Sequence, residues 1–249
     1  MLGLVHRRMV PALLGIWLVL GPVSFAWAQE AKTSAQFDVA IGALRVGVFW
    51  IDGSTSRRAY TVSSGFQSTG LIGGLADVAV AMTARGTRRD GQFFPARYGE
   101  DVRAGRRQGA IVMTYRNGVP KVSGQKIRDE DDDDDTPPVD AATQKGTLDP
   151  LSATFALLHR QPLAGACQVD RFMFDGERRT RVVMTTLRQE RDIWVCSGQF
   201  LRLAGYSERD LRRSGVVDVV VRYRLEGDDL VATQAQFRSL RGVLRLTRR

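Results

Sequence analysis

The sequence predicts a mainly β fold: a curved antiparallel meander, a half-barrel or open barrel, of about 11 or 12 strands with one helix packed on its concave side. Three observations carry this. Apolar side chains fall at every second position along most of the chain, the period of a strand with one buried face. Turn-forming pairs such as Asp-Gly and Asn-Gly interrupt the alternation at short intervals. A single stretch combines a helix start signal with apolar residues at helical spacing. A meander this long curls rather than staying flat.

The chain opens differently. Residues 1–28 read as a secretory signal peptide: His6-Arg7-Arg8 supplies the charged start, Val10–Leu20 the apolar segment, and Ala26-Trp27-Ala28 the cleavage site before Gln29. The uncharged run from Met9 to Gln29 is also long enough for an uncleaved anchor, but Pro22, Ser24 and the small residues favour removal. The expected product is one exported β-rich domain, residues 29–249, in the periplasm, with no membrane span left after cleavage.

Phe37, Val39 and Ile41 alternate, Gly42-Ala43 turns, and Val46, Val48 and Trp50 resume, which makes a hairpin closed by Asp52-Gly53-Ser54. Tyr60, Val62 and Phe66 mark a third strand. Gly73-Gly74 lies in a glycine-rich break that matches no phosphate-binding spacing, so it reads as a turn with Leu71 and Leu75 packed inward. Strands follow at Val78–Met82, after Phe93-Phe94-Pro95, and at Ile111–Tyr115, the last stopped by Asn117-Gly118. Residues 124–147 lose the pattern and hold seven consecutive acidic residues, Asp129–Asp135, a self-repelling disordered loop rather than a calcium site with spaced ligands. Asp149-Pro150 then caps and starts the helix, with Leu151, Phe155 and Leu158 on one face. His159 falls at its end, where a surface or capping histidine meets the helix dipole favourably.

The region from Val169 to Leu203 is the centre of the pattern, three strands joined at Asp175-Gly176 and at the charged corner Arg188–Asp192. Val182 and Met184 on one face and Val183 and Leu187 on the other suggest that one face buries the helix while the other lines a cavity, or else ordinary two-layer packing. After a polar segment, Val217–Leu225 is the cleanest period-2 run, and two further strands close the chain. In an oxidising compartment Cys167 and Cys196 are expected to form a disulfide. In a flat sheet both would flank the middle strand, too far apart, so Gly165-Ala166-Cys167 must fold over it.

Net charge is +9, almost all of the positive side being arginine, 32 against 4 lysines, spread along the whole chain. No basic patch with interleaved aromatics suggests nucleic acid. With one histidine left after export, no Ser-His-Asp or Cys-His arrangement is recognisable, and no His/Cys/carboxylate spacing suggests a metal. No catalytic residues, metal or cofactor are assigned.

The order of signals resembles DUF3108, an uncharacterised family of exported bacterial proteins. The resemblance runs through Phe37-Asp38-Val39, Gly65-Phe66 with Gly70-Leu71, and Gly86 with Gly91 and Pro95. It continues through Asp149-Pro150-Leu151-Ser152, Phe174-Asp175-Gly176 and Cys196 with Gly205, over residues 36–247. Such families often carry a proline in the penultimate strand, where this chain has Leu230-Val231-Ala232. The resemblance implies a β-rich exported fold and no activity. On architecture alone the chain is also similar to the curved half-barrels of periplasmic lipoprotein carriers and lipid-binding proteins.

The expected function is therefore non-catalytic binding of an apolar or amphipathic envelope molecule, a lipid or lipoprotein moiety, lined by Phe66, Leu71, Leu75, Phe155, Phe172, Phe174 and Trp194. Two alternatives stand beside it. One is an envelope interaction module docking on anionic glycan, lipopolysaccharide or protein through its arginines. The other is a carboxylate hydrolase, which would need two convergent acids in a cleft.

Overall fold

The computed structural model describes residues 30–70, 77–127, 136–239 and 242–249. The signal segment, Gly73-Gly74, Leu71, Leu75 and the Asp129–Asp135 tract lie outside the described residues.

Fourteen strands form one antiparallel sheet. The first seven are β1 (Ala31–Ile41), β2 (Leu44–Thr55), β3 (Ala59–Ser68), β4 (Val78–Arg89), β5 (Gln92–Ala104), β6 (Arg107–Arg116) and β7 (Val119–Gln125). After a nine-residue helix, α1 (Pro150–Leu158), come β8 (Gln161–Pro162), β9 (Val169–Phe174), β10 (Arg179–Glu190) and β11 (Ile193–Ala204). A short helix, α2 (Glu208–Ser214), leads into β12 (Val216–Glu226), β13 (Asp229–Ser239) and β14 (Gly242–Arg248).

Along the main path each strand pairs with its sequence neighbours except at one junction. There β1 takes β14, with Phe37 opposite Arg248 and Ile41 opposite Leu244, so the first and last strands meet in the middle of the sheet. This leaves β7 and β9 as the two ends of the path, while two-residue β8 pairs with β13. The hairpin turns follow local chemistry: at Asp90-Gly91 and Asn117-Gly118 both residues have positive φ, as a two-residue turn between right-twisted strands requires.

The gap between β7 and β9 is closed by coil. Gly146 donates to the Gly118 carbonyl at 2.8 Å, Leu148 donates to Phe172 at 2.8 Å, and Phe174 donates to Leu148 at 2.9 Å. Val139 donates to Glu177 at 2.8 Å, and Lys126 pairs with Asp175 at 3.0 Å. Residues 136–147, expected to be part of a structureless acidic loop, are thus a strap with a 3-10 turn at Ala141–Thr143 capped by Asp140.

Three local expectations change. Strand β7 carries too few apolar positions, with Pro120 among them, to announce itself. Gly53 does not end a hairpin but lies inside β2, where a Cβ would stand 2.8 Å from the Phe155 ring, so this glycine makes room for the helix. The Asp175-Gly176 turn is longer than two residues: Asp175 accepts from the amides of Glu177 and Arg178 at 3.0 and 2.7 Å.

The disulfide joins Cys167 to Cys196 with a Cα–Cα distance of 5.6 Å. Cys167 sits at φ +67° in a turn that folds back over the sheet, which solves the flat-sheet problem. Among the described residues no helix is long and apolar enough to cross a membrane.

Candidate functional site

Helix α1 lies inside the curved sheet and is held at several points. Its N-cap is Asp149, whose carboxylate accepts from the Ser152 amide at 2.7 Å and the Ser152 hydroxyl at 2.6 Å. That hydroxyl also meets the Tyr60 hydroxyl from β3 at 2.6 Å. Burial pushes the Asp149 carboxyl up to about 6, although the bonds from Ser152 pull it down. At the other end Tyr223 of β12 donates to the Leu157 carbonyl at 2.6 Å, and Arg160 binds Asp229 and Glu226.

The helix is too short to fill the lumen. Its nine residues extend about 13 Å, whereas strands of 11 or 12 residues extend about 35–40 Å. Bulky aromatic side chains pack around one side of it: Phe93 lies 4.7 Å from Tyr60, 5.7 Å from Phe155 and 5.3 Å from His159, centre to centre. On the other side the helix offers Ala153, Thr154, Leu157 and Leu158, and the sheet answers with aliphatic residues and four phenylalanines that do not reach it everywhere. A cavity of about 440 Å³ remains.

Its walls are apolar. Strands β1 and β2 contribute Val39, Ile41, Val46 and Phe49; β12 to β14 contribute Val219, Val221, Ala235, Phe237, Leu244 and Leu246. Phe66, Met173, Val182 and Phe200 complete the lining. Thr154 is the one polar residue, and its hydroxyl is already donated to the Pro150 carbonyl at 2.9 Å. The cavity therefore offers a guest apolar surface and no directional bond. It suits a hydrocarbon moiety, at roughly three times the volume of an engineered apolar cavity that takes benzene.

Of the side chains expected to line a ligand, Phe66 lies in this wall. Phe155 is fully buried on the opposite face of α1, in the aromatic cluster. Phe174 is fully buried at the seam, and Trp194 packs on the core opposite Tyr223. Phe172 is a correction: it is 39% exposed on the outer surface, with Arg179 and Arg181 stacked on its ring, because its neighbour Met173 takes the inward position. Leu71 and Leu75 lie outside the described residues. The expected division, helix on one sheet face and cavity on the other, also changes, since Val182 and α1 border the same cavity. Sequence reasoning missed the walls from β1, β2 and β12–β14. The signal was present in the inward parity of the most regular strands, Val217-Val219-Val221 above all.

His159 is likewise not a surface charge. It is buried, its Nδ1 donates to the Phe155 carbonyl at 2.9 Å, and burial pushes its pKa down to about 4, so the ring is neutral at pH 7. It borders a second, more polar cavity of about 650 Å³ across α1 from the first. Among the described residues no group of three or more His, Cys, Asp or Glu side chains is placed to hold a metal ion.

Compared with known proteins, residues 36–193 match the model of a family described as "Protein of unknown function (DUF3108)". No curated protein matches the chain. Among solved structures it is similar to a β-barrel-like protein of domain of unknown function DUF1849 from Brucella abortus, at 11% identity and a TM-score of 0.47, over 88% of this chain and 96% of that one.

Proposed function

We propose that this chain, which belongs to the DUF3108 family of proteins of unknown function, is a non-catalytic binding protein that acts after export and holds the hydrocarbon part of a lipid or lipoprotein moiety. The observation that carries the reading is the 440 Å³ pocket beside α1, partly open and lined among the described residues by apolar side chains, with its single hydroxyl already engaged. Burying an apolar guest there contributes about 25 cal/mol per Å² and asks for no polar partner. The Cys167–Cys196 disulfide supports an oxidising compartment.

Native mass spectrometry of the purified full chain, with organic extraction of what it carries, tests the proposal. A bound lipid, or saturable uptake of a fluorescent fatty acid, is the expected result. Replacing Ala235, fully buried in the cavity wall, by phenylalanine puts a benzene-sized ring into about a third of the space and should weaken uptake while the chain stays folded. A wild-type protein that carries no lipid and takes up no fatty acid would end the reading.

A second reading, docking on an anionic glycan or lipopolysaccharide, draws on arginines stacked against three rings: Phe94 with Arg89 and Arg171, Phe172 with Arg179 and Arg181, and Tyr206 with Arg178 and Arg202. Retention of lipopolysaccharide that falls steeply with salt, and is lost in F172A, would favour it.

A further inference from the structure

The second cavity has a different chemistry from the first. Its 650 Å³ lie between the Asp90-Gly91 turn, the 164–168 segment, strands β9 and β10 and the C-terminal end of α1. Arg88 of β4 and Arg171 of β9 border it, both at inward positions of their strands, in line with Ala84 and Met173. An arginine at an inward strand position is unusual unless something answers its charge.

Among the described residues, nothing ionised does. Arg171 spends its donors on neutral oxygens: the Gln92 side chain at 3.0 Å, the Phe93 carbonyl at 3.3 Å and the Gly146 carbonyl at 3.5 Å. Arg88 stacks loosely on Phe93, 5.9 Å from the ring centre. Its Nε is shielded from solvent and has no hydrogen-bond partner among the described residues. Leaving a charged donor unmade in this way costs more than a neutral one. Of the two carboxylates at the cavity, Asp170 is held by Arg181 through two bonds of 2.7 and 2.6 Å, and Asp90 stands exposed on its turn. Arg88 and Arg171 thus border an open space with no carboxylate bonded to either among the described residues.

We propose that this cavity is an oxyanion site, in which Arg88 and Arg171 hold a phosphate or carboxylate group beside the imidazole of His159. Two guanidiniums present planar donor forks suited to such a group. His159 adds an acceptor: its Nδ1 is committed to Phe155, so Nε2 carries the lone pair and can take a hydrogen bond from a protonated oxyanion. The site stands independently of what the apolar cavity holds. The oxyanion is either free in solution or the headgroup of an amphiphile whose tail lies across α1.

The test is a proton NMR titration of His159 in the full chain, with the other histidine, His6, assigned by H6Q. Arg88 from β4 lowers the proton affinity of His159, the other charged groups bordering the cavity are Arg171 from β9, Asp170 and Asp90, and an added anion raises that affinity. Saturating inorganic phosphate should therefore raise the His159 midpoint from about 4 by roughly one unit. R88Q should weaken phosphate binding roughly tenfold, and R88K should retain part of it. Dodecyl phosphate separates the sources. Binding at least about tenfold tighter than phosphate, with that advantage reduced in A235F, assigns a headgroup; equal binding assigns a free oxyanion. A His159 midpoint moved by neither compound, or moved equally in wild type and R88Q, overturns the proposal.

Discussion

Changing Asp149 to asparagine isolates the energetic consequence of burying the helix cap. The side chain is fully buried and its carboxyl titrates near 6 rather than 3.8, with desolvation as the largest cause. A carboxyl whose folded pKa lies above its unfolded value binds a proton on folding between the two. Its neutral form is the compatible one, so stability is highest below about pH 4 and declines as the pH rises through 6. Two pKa units correspond to about 3 kcal/mol. Asparagine has the same shape and stays neutral. Its Oδ1 can accept from the Ser152 amide and its Nδ2 can donate to the Ser152 hydroxyl, whose proton then turns to Tyr60. We expect D149N to exceed the wild type by on the order of 2–3 kcal/mol at pH 8, with the gap closing toward pH 4. Urea unfolding of disulfide-intact protein, followed by tryptophan fluorescence at pH 4, 6 and 8, measures it. A D149N protein no more stable at pH 8, or a gap that ignores pH, would refute the account of Asp149 as a strained, ionised cap. The companion D149A, lacking any cap, should lose about 1–2 kcal/mol even at pH 4.

His159 should show the opposite slope: with its folded pKa at about 4, below the unfolded 6.5, its contribution is complete above pH 6.5 and lost on acidification. Between pH 7 and 4 the wild type should lose about 3 kcal/mol relative to H159F, measured by the same urea series. Replacing both cysteines by serine opens a loop of 29 residues and should cost about 3–4 kcal/mol in the chain-entropy model, read as a lower urea midpoint matched by reduced wild type. G53A places a Cβ 2.8 Å from both the Phe155 ring and the Thr61 carbonyl; a loss of about 1–3 kcal/mol is expected, and F155L should recover part of it in a double-mutant cycle.

What the sequence disclosed and what it hid divide along one physical line. Features set within a few residues were legible: the Asn117-Gly118 turn, the Asp149-Pro150 helix start, the Val217–Tyr223 alternation. Features set by closure of the sheet were not. The pairing of β1 with β14 joins Phe37 to Arg248 and leaves no local mark. Nor does the strap from Val139 to Leu148, whose backbone bonds depend on β9 and the Gly118 turn arriving beside it. His159 looked like a dipole cap because helical spacing places it at a C-terminus, while its burial comes from Phe93, which is 66 positions earlier in the chain. Arg88 and Arg171 stand between these cases. Strand parity alone points Arg171 inward within Val169–Phe174, whereas Arg88 lies beyond Val78–Met82 and gave no such signal.

The same closure explains why the apolar cavity calls for an occupant. Ala235, Val219 and Val39 share the wall beside α1 with Phe49, Phe66, Phe200 and Phe237, and a space remains between them and the helix. The disulfide, the Arg160 pairs and the tyrosine bonds from β3 and β12 hold α1 in place, but none of them fills the space beside it. A guest that does so recovers apolar contact, and it stabilises the fold by mass action in proportion to how tightly it binds. Delipidated protein should therefore melt at a lower temperature than protein as purified, and the difference should shrink in A235F, where a phenyl ring takes part of the guest's place. Equal melting of the two wild-type preparations, with lipid shown to be present in one, would mean that the cavity tolerates its emptiness and that the guest binds elsewhere.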